Sequence, residues 1–187
     1  MISMMLALDL NVSKANFSID HKQPVALIGS CFSDEMSDQF VLNGFEAYSN
    51  PFGTIFHPSV IARFLNELCQ GCEQERTVLR DDVWLSWDAG SGKFGMSEEE
   101  LTSQLFQVRE HWRKMLESAS VLFITFGTSW CYKLKDTDLV VANCHKFPAS
   151  HFERMMGEAE EMVAEWKETL HLLQNHFPQL KVVFTVS

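Results

Sequence analysis

The run Val25-Ala26-Leu27-Ile28-Gly29-Ser30-Cys31-Phe32-Ser33 constrains this chain more than any other stretch. Four consecutive apolar residues without polar alternation suit a strand covered on both faces, as in a parallel sheet. Gly29 then permits a sharp turn. Ser33 is a candidate N-cap, and Asp34 and Glu35 favour the first turn of a helix, so a helix is expected over about 33–43. Strand, glycine turn and helix in direct succession place Ser30 and Cys31, two adjacent nucleophiles, at the carboxyl end of a buried strand. Open α/β sheets bind ligands at that edge. The amino end of the helix offers unpaired N–H groups to a developing negative charge.

The remaining pattern extends this to a layered α/β fold. Phe45–Ser49 reads as a short strand leading into a turn at Asn50-Pro51-Phe52-Gly53. Pro58 opens a helix whose Val60, Ile61, Phe64, Leu65 and Leu68 share one face. Val83–Trp87 reads as a strand and residues 89–93 as a loop. Ser97 and Glu100 form a capping box for a helix reaching about Ser118. Val121-Leu122-Phe123-Ile124 is a second continuously apolar strand. Residues 131–134 and 139–142 flank Lys135-Asp136-Thr137-Asp138 as a hairpin extension. A long helix over about 150–176 and a strand over 181–186 complete the reading. Helices between strands predict a three-layer α/β/α sandwich with a mostly parallel sheet and a small hairpin extension.

Composition narrows the class of function. Apolar residues at 46% and charged residues at 21% are ordinary for a soluble globular protein. A net charge of −10 argues against nucleic acid and anionic membrane surfaces as partners. The apolar start Met1–Leu8 lacks a basic region and a cleavage site, so it does not read as a signal peptide. No apolar run approaches the ~20 residues of a membrane span. Five scattered cysteines suit a reducing, cytoplasmic setting.

Four ordered motifs carry a resemblance. Gly29-Ser30-Cys31-Phe32-Ser33 differs in its last residue from G-S-C-F-A. Asn50-Pro51-Phe52-Gly53, Thr125-Phe126-Gly127-Thr128-Ser129-Trp130 and Asn143-Cys144-His145-Lys146 with Pro148 follow in order. From Val25 onward the chain resembles the GSCFA family, which is similar to the SGNH/GDSL hydrolases. The resemblance implies an SGNH/flavodoxin-like fold and ester hydrolysis or acyl transfer, with an acetylated carbohydrate as one expected substrate. Members usually continue through an S-P-V-R-H stretch. One domain over residues 1–187, incomplete at its C-terminal end, is therefore expected, with self-association through an exposed strand edge.

Laid on the superfamily's G-D-S block, Gly29-Ser30-Cys31 puts Cys31 at the nucleophile position; a one-residue shift makes it Ser30. Gly53 matches the glycine that lends an oxyanion N–H. Ser129 stands where the G-x-N block has asparagine and is the second oxyanion candidate; its hydroxyl can donate one bond at shorter reach, with Thr128 or Asn50 as compensating candidates. The D-x-x-H element that supplies the base does not occur after Phe126. His145 is the substitute candidate, on a loop that with Asn143 and Lys146 is expected to contact substrate, as are Asn50, Gly127 and Thr128. This chemistry calls for no metal or organic cofactor. A non-catalytic SGNH scaffold that binds a carbohydrate or acyl ligand is the competing expectation.

Cys69-Gln70-Gly71-Cys72 lacks a second ligand pair, and Ala89-Gly90-Ser91-Gly92-Lys93 lacks phosphate-loop spacing. The acidic residues from Glu158 to Glu168 read as the solvated face of a helix.

Overall fold

The computed structural model describes residues 14–72 and 74–185. The apolar start and the last two residues, on which the leader and chain-end readings fall, lie outside the described residues. In chain order the elements are β1 (Val25–Gly29), α1 (Cys31–Leu42), β2 (Ala47–Ser49), α2 (Pro58–Gln70), β3 (Thr77–Arg80), β4 (Val83–Ser86), β5 (Phe94–Gly95), α3 (Glu98–Ser118), β6 (Val121–Thr125), β7 (Trp130–Leu134), β8 (Val140–Val141), β9 (Phe152–Met156), α4 (Ala159–His176) and β10 (Lys181–Thr185).

The central sheet runs β10-β6-β1-β2, and every pairing in it is parallel. Both apolar tetrads, in β1 and β6, occupy its two middle strands. Side chains alternate between faces. Ala26, Ile28, Leu122 and Ile124 join Ile61 and Leu65 of α2, Leu105 and Trp112 of α3, and Trp166 and Leu173 of α4. Val25, Leu27 and Val121 face the other way, against Met36 and Phe40 of α1. This is the expected three-layer arrangement. Leu27, Ile28, Leu122 and Ile124 are all at most 1% exposed, and such burial contributes about 1.5–3 kcal/mol per side chain.

Two three-stranded antiparallel sheets, β3-β4-β5 and β8-β7-β9, stand beside this core. The expected hairpin is β7–β8. The expected helix over 150–176 is corrected by the structure: a single 3₁₀ turn at Ala149–His151 leads into β9, and α4 begins only at Ala159. Phe152–Met156 instead pairs with β7 along its whole length, and Phe152 buries its ring against Trp87.

A buried ionic cluster ties the second sheet to the core. Asp88, 4% exposed, pairs with Arg63 of α2 and with Arg76. Arg63 also donates to the Val140 carbonyl at 2.8 Å, and Arg109 of α3 holds Glu67 and Glu75. Among the described residues, no helix is long and apolar enough to cross a membrane.

Candidate functional site

The strand order reverses direction between β1 and β6. From β1 the chain moves outward to β2, then returns to β6 and continues to β10. At such a switch point the loops leaving the two central strands diverge and open a crevice at the carboxyl edge. The loop after β1 holds Ser30 and Cys31, and the loop after β6 holds Gly127, Thr128 and Ser129.

The turn after β1 is built around Gly29, whose φ is +132°. A Cβ there would lie 2.0 Å from the Thr125 carbonyl oxygen, so only glycine fits. The Ser30 N–H donates to that same carbonyl at 3.0 Å, and the Ile55 N–H donates to the Gly29 carbonyl at 2.9 Å. Helix α1 begins at Cys31, two residues earlier than expected. Ser30 is its N-cap and Ser33 lies inside it; the Ser30 side chain makes no capping bond. Ser30 is buried, whereas Cys31 is exposed. Among the described residues, the N–H groups of Cys31 and Phe32 have no intramolecular acceptor, as expected for the first residues of a helix.

Asn50 fixes this turn from the neighbouring strand. It is buried with φ +39°, a conformation asparagine tolerates. Its Oδ1 accepts the Gly29 N–H at 2.8 Å. Its Nδ2 donates to Asp34 Oδ2 at 2.9 Å and reaches the Ser30 carbonyl at 3.4 Å. The Asp34 carboxylate also accepts from the hydroxyls of Ser49 (2.8 Å) and Thr54 (3.3 Å). Sequence reasoning gave Asp34 only a helix-dipole role; its three side-chain donors come from a segment 15–20 residues away, and no local pattern announces them. Gly53, at φ +84°, donates its N–H to the Asn50 carbonyl at 2.8 Å. That donor closes the turn rather than facing the crevice.

The β6 loop is tied to the same segment. The N–H groups of Gly127 and Thr128 both donate to the Phe56 carbonyl, at 3.0 and 3.2 Å. A Cβ on Gly127 would meet the Phe56 ring at 2.5 Å. Ser129 accepts the Gly157 N–H on its carbonyl. Past these contacts opens a cavity of about 450 Å³, walled by Phe56, Trp130, Tyr132, Phe147 and Phe152, with His57, Thr128 and Asn143 among its polar groups. His57 is 5% exposed. Its Nδ1 accepts the Ser59 N–H at 3.3 Å as the N-cap of α2. Nε2 makes no hydrogen bond of ordinary geometry. Burial lowers the His57 pKa; the Ser129 backbone opposes that shift and Arg63 adds to it.

The Asn143–Lys146 loop separates this cavity from a second one of about 540 Å³, which Asn143, His145 and Lys146 line together. His145 and Lys146 both have positive φ, +48° and +58°, held by the Asn143 Oδ1 bond to the His145 N–H (2.7 Å) and by Arg80, which donates to the His145 carbonyl. The His145 ring is 4% exposed. Its Nε2 bonds the Ser86 carbonyl at 2.7 Å and its face meets Trp87. Burial lowers its pKa, opposed by the Ser86 carbonyl. The structure therefore brings Ser30, Cys31, Asn50 and Gly53 together at the β1 turn, and Thr128 and Asn143 together in the first cavity. His145 is turned toward the hairpin sheets. Neither Ser30 nor Cys31 lines either cavity. Among the described residues, no cluster of side chains is suited to hold a metal ion.

Compared with known proteins, residues 24–187 match the family model described as GSCFA family. No curated protein and no solved structure matches. With the match spanning all but the first residues, and with its signature on the turn that Gly29 and Asn50 hold, the chain belongs to the GSCFA family.

Proposed function

We propose that the β1 turn is the nucleophile site of an ester hydrolase or acyltransferase of the SGNH type. The observation that carries this reading is the pinned turn: an obligatory glycine against the Thr125 carbonyl and a nucleophile pair at a helix start. Two free N–H groups stand beside it. Cys31 Sγ, or Ser30 Oγ in the shifted register, adds to the ester carbonyl carbon. The carbonyl oxygen gains negative charge, and the N–H groups of Cys31 and Phe32 are the donors placed to receive it. The C–O bond to the alcohol then breaks, and the alcohol departs with the nucleophile's proton. Water or a second alcohol attacks the acyl-enzyme and frees the nucleophile.

Exposure favours Cys31 as the attacking atom, since Ser30 is buried behind it. The Gly53 N–H is committed to Asn50, so it is not among the proposed oxyanion donors. The resemblance places the base in a D-x-x-H element that this sequence does not supply after Phe126. Five free cysteines support a reducing, cytoplasmic location. Hydrolysis of a chromogenic acetate ester, compared among the unaltered chain, Cys31→Ala and Ser30→Ala, tests the assignment. Loss on Cys31→Ala alone supports it; loss on Ser30→Ala alone moves the role to Ser30.

A non-catalytic binding protein is the second reading. It is favoured by the histidine placement: among the described residues, no histidine hydrogen-bonds to Ser30 or Cys31. Equal, background-level hydrolysis in all three proteins would select it.

A further inference from the structure

The cavity beyond the β6 loop has a composition that specifies a ligand. Its walls are largely the rings of Phe56, Trp130, Tyr132, Phe147 and Phe152, and it contains no Lys, Arg, Asp or Glu. A charged ligand would find no counter-charge among its lining side chains. His57, Asn143 and Thr128 are polar groups of its lining. Asn143 Oδ1 accepts the His145 N–H at 2.7 Å, which leaves Nδ2 as the free donor. Thr128 Oγ1 accepts the Trp130 N–H at 3.1 Å, which leaves its hydroxyl hydrogen to donate. Among the described residues, neither donor has an intramolecular acceptor.

Size excludes a bare acetyl group. The cavity holds about 450 Å³, inside the range of roughly 300–1,000 Å³ for small-molecule sites. Three heavy atoms displace on the order of three waters, about 90 Å³. An acetyl would leave most of the apolar wall without contacts. A sugar ring fits the volume, but the aromatic walls offer few partners to the hydroxyls that face them.

We propose that this cavity binds an uncharged, mostly apolar molecule of about ten heavy atoms carrying one or two acceptor oxygens, such as an aromatic or medium-chain acyl compound. Asn143 Nδ2 and the Thr128 hydroxyl receive the oxygen, and the aromatic wall takes the apolar body. If the β1 turn acts as proposed, this molecule is the body of its substrate. The cavity argument does not depend on that reaction.

The test is a titration of the full chain, and of Cys31→Ala, with acetamide, butanamide, hexanamide and methyl glucoside. Binding is read by the change in tryptophan fluorescence that Trp130→Phe abolishes and by the Asn143 side-chain amide resonance. Affinity is expected to tighten about fourfold per added methylene, identically in Cys31→Ala, with methyl glucoside weaker than hexanamide. Asn143→Asp keeps the acceptor for His145 and removes the donor, and should weaken hexanamide about tenfold. Thr128→Val supplies the same test at the second donor. Hexanamide binding no tighter than acetamide, unchanged binding in both donor variants, or tighter binding of the glucoside would each overturn the proposal. Length-dependent binding without ester hydrolysis would remove the catalytic reading and leave this one standing.

Discussion

Asn50, after β2 of the central sheet, and Asn143, after β8 of a small antiparallel sheet, carry the same side chain and are used in opposite ways. Asn50 is spent inside the protein: its oxygen takes the Gly29 N–H, and its nitrogen is divided between Asp34 and the Ser30 carbonyl. Asn143, which lines both cavities, has only its oxygen engaged, by the His145 N–H. The first arrangement shapes backbone, because every buried polar atom that is satisfied internally resists displacement. The second leaves a donor in reserve, as recognition of a ligand requires. Asn50 is thus a saturated group that shapes the β1 turn, whereas Asn143 keeps a donor free.

The largest expected effect comes from the scaffold. Gly29→Ala puts a Cβ 2.0 Å from the Thr125 carbonyl at a φ that alanine avoids. It should cost more than about 4 kcal/mol in denaturant unfolding. A stable Gly29→Ala protein would show that the two central strands can separate at this point. Asn50→Ala comes next: it strands the Gly29 N–H and one donor to Asp34, for a cost of about 2–3 kcal/mol. Asn143→Asp, by contrast, keeps an acceptor for the His145 N–H and should cost less stability than Asn50→Ala. Similar stability losses at both asparagines would break the comparison.

A subtler effect concerns pH. His57 and His145 have folded pKa values lowered mainly by burial. In the unfolded chain, each takes up its proton near the ordinary histidine value of about 6.5. The unfolded state therefore binds more protons as pH falls below that value, and stability drops toward the lower folded pKa. Above about pH 6.5 the contribution is complete. Urea midpoints measured from pH 7.5 to 5 should decline, and His145→Gln should flatten part of the decline. A midpoint independent of pH in that range would contradict the burial of both rings.

How much of this was readable in the sequence depended on whether the signal was local. The tetrads of β1 and β6 announce a parallel core because both faces are buried, and Pro58 with its apolar stripe announces α2. Phe152–Met156 falls within the span expected to be helical from about 150. Its strand character comes from partners in β7, 18 to 26 residues back, which no short window reveals. At the site, the turn at Gly29, Ser30 and Cys31 was legible from the succession of apolar strand, glycine and helix start. The Asp34 hub was not, since it depends on three hydroxyl and amide donors brought from β2 and the loop after it. The aromatic cavity was equally hidden, its wall being assembled from four separate loops and strands. His57 was partly legible: a residue directly before Pro58 sits where the N-cap of α2 belongs.

The central proposal is that the β1 turn presents the nucleophile. Its most direct test is intact-mass spectrometry of the folded chain after exposure to an activated acetyl ester, with peptide mapping of any adduct. The account predicts a single acetyl group on the peptide carrying Ser30 and Cys31, lost in Cys31→Ala and absent when the protein is denatured first. Adducts spread over several cysteines, or none on that peptide, would contradict it and leave Gly29-Ser30-Cys31 as a structural turn.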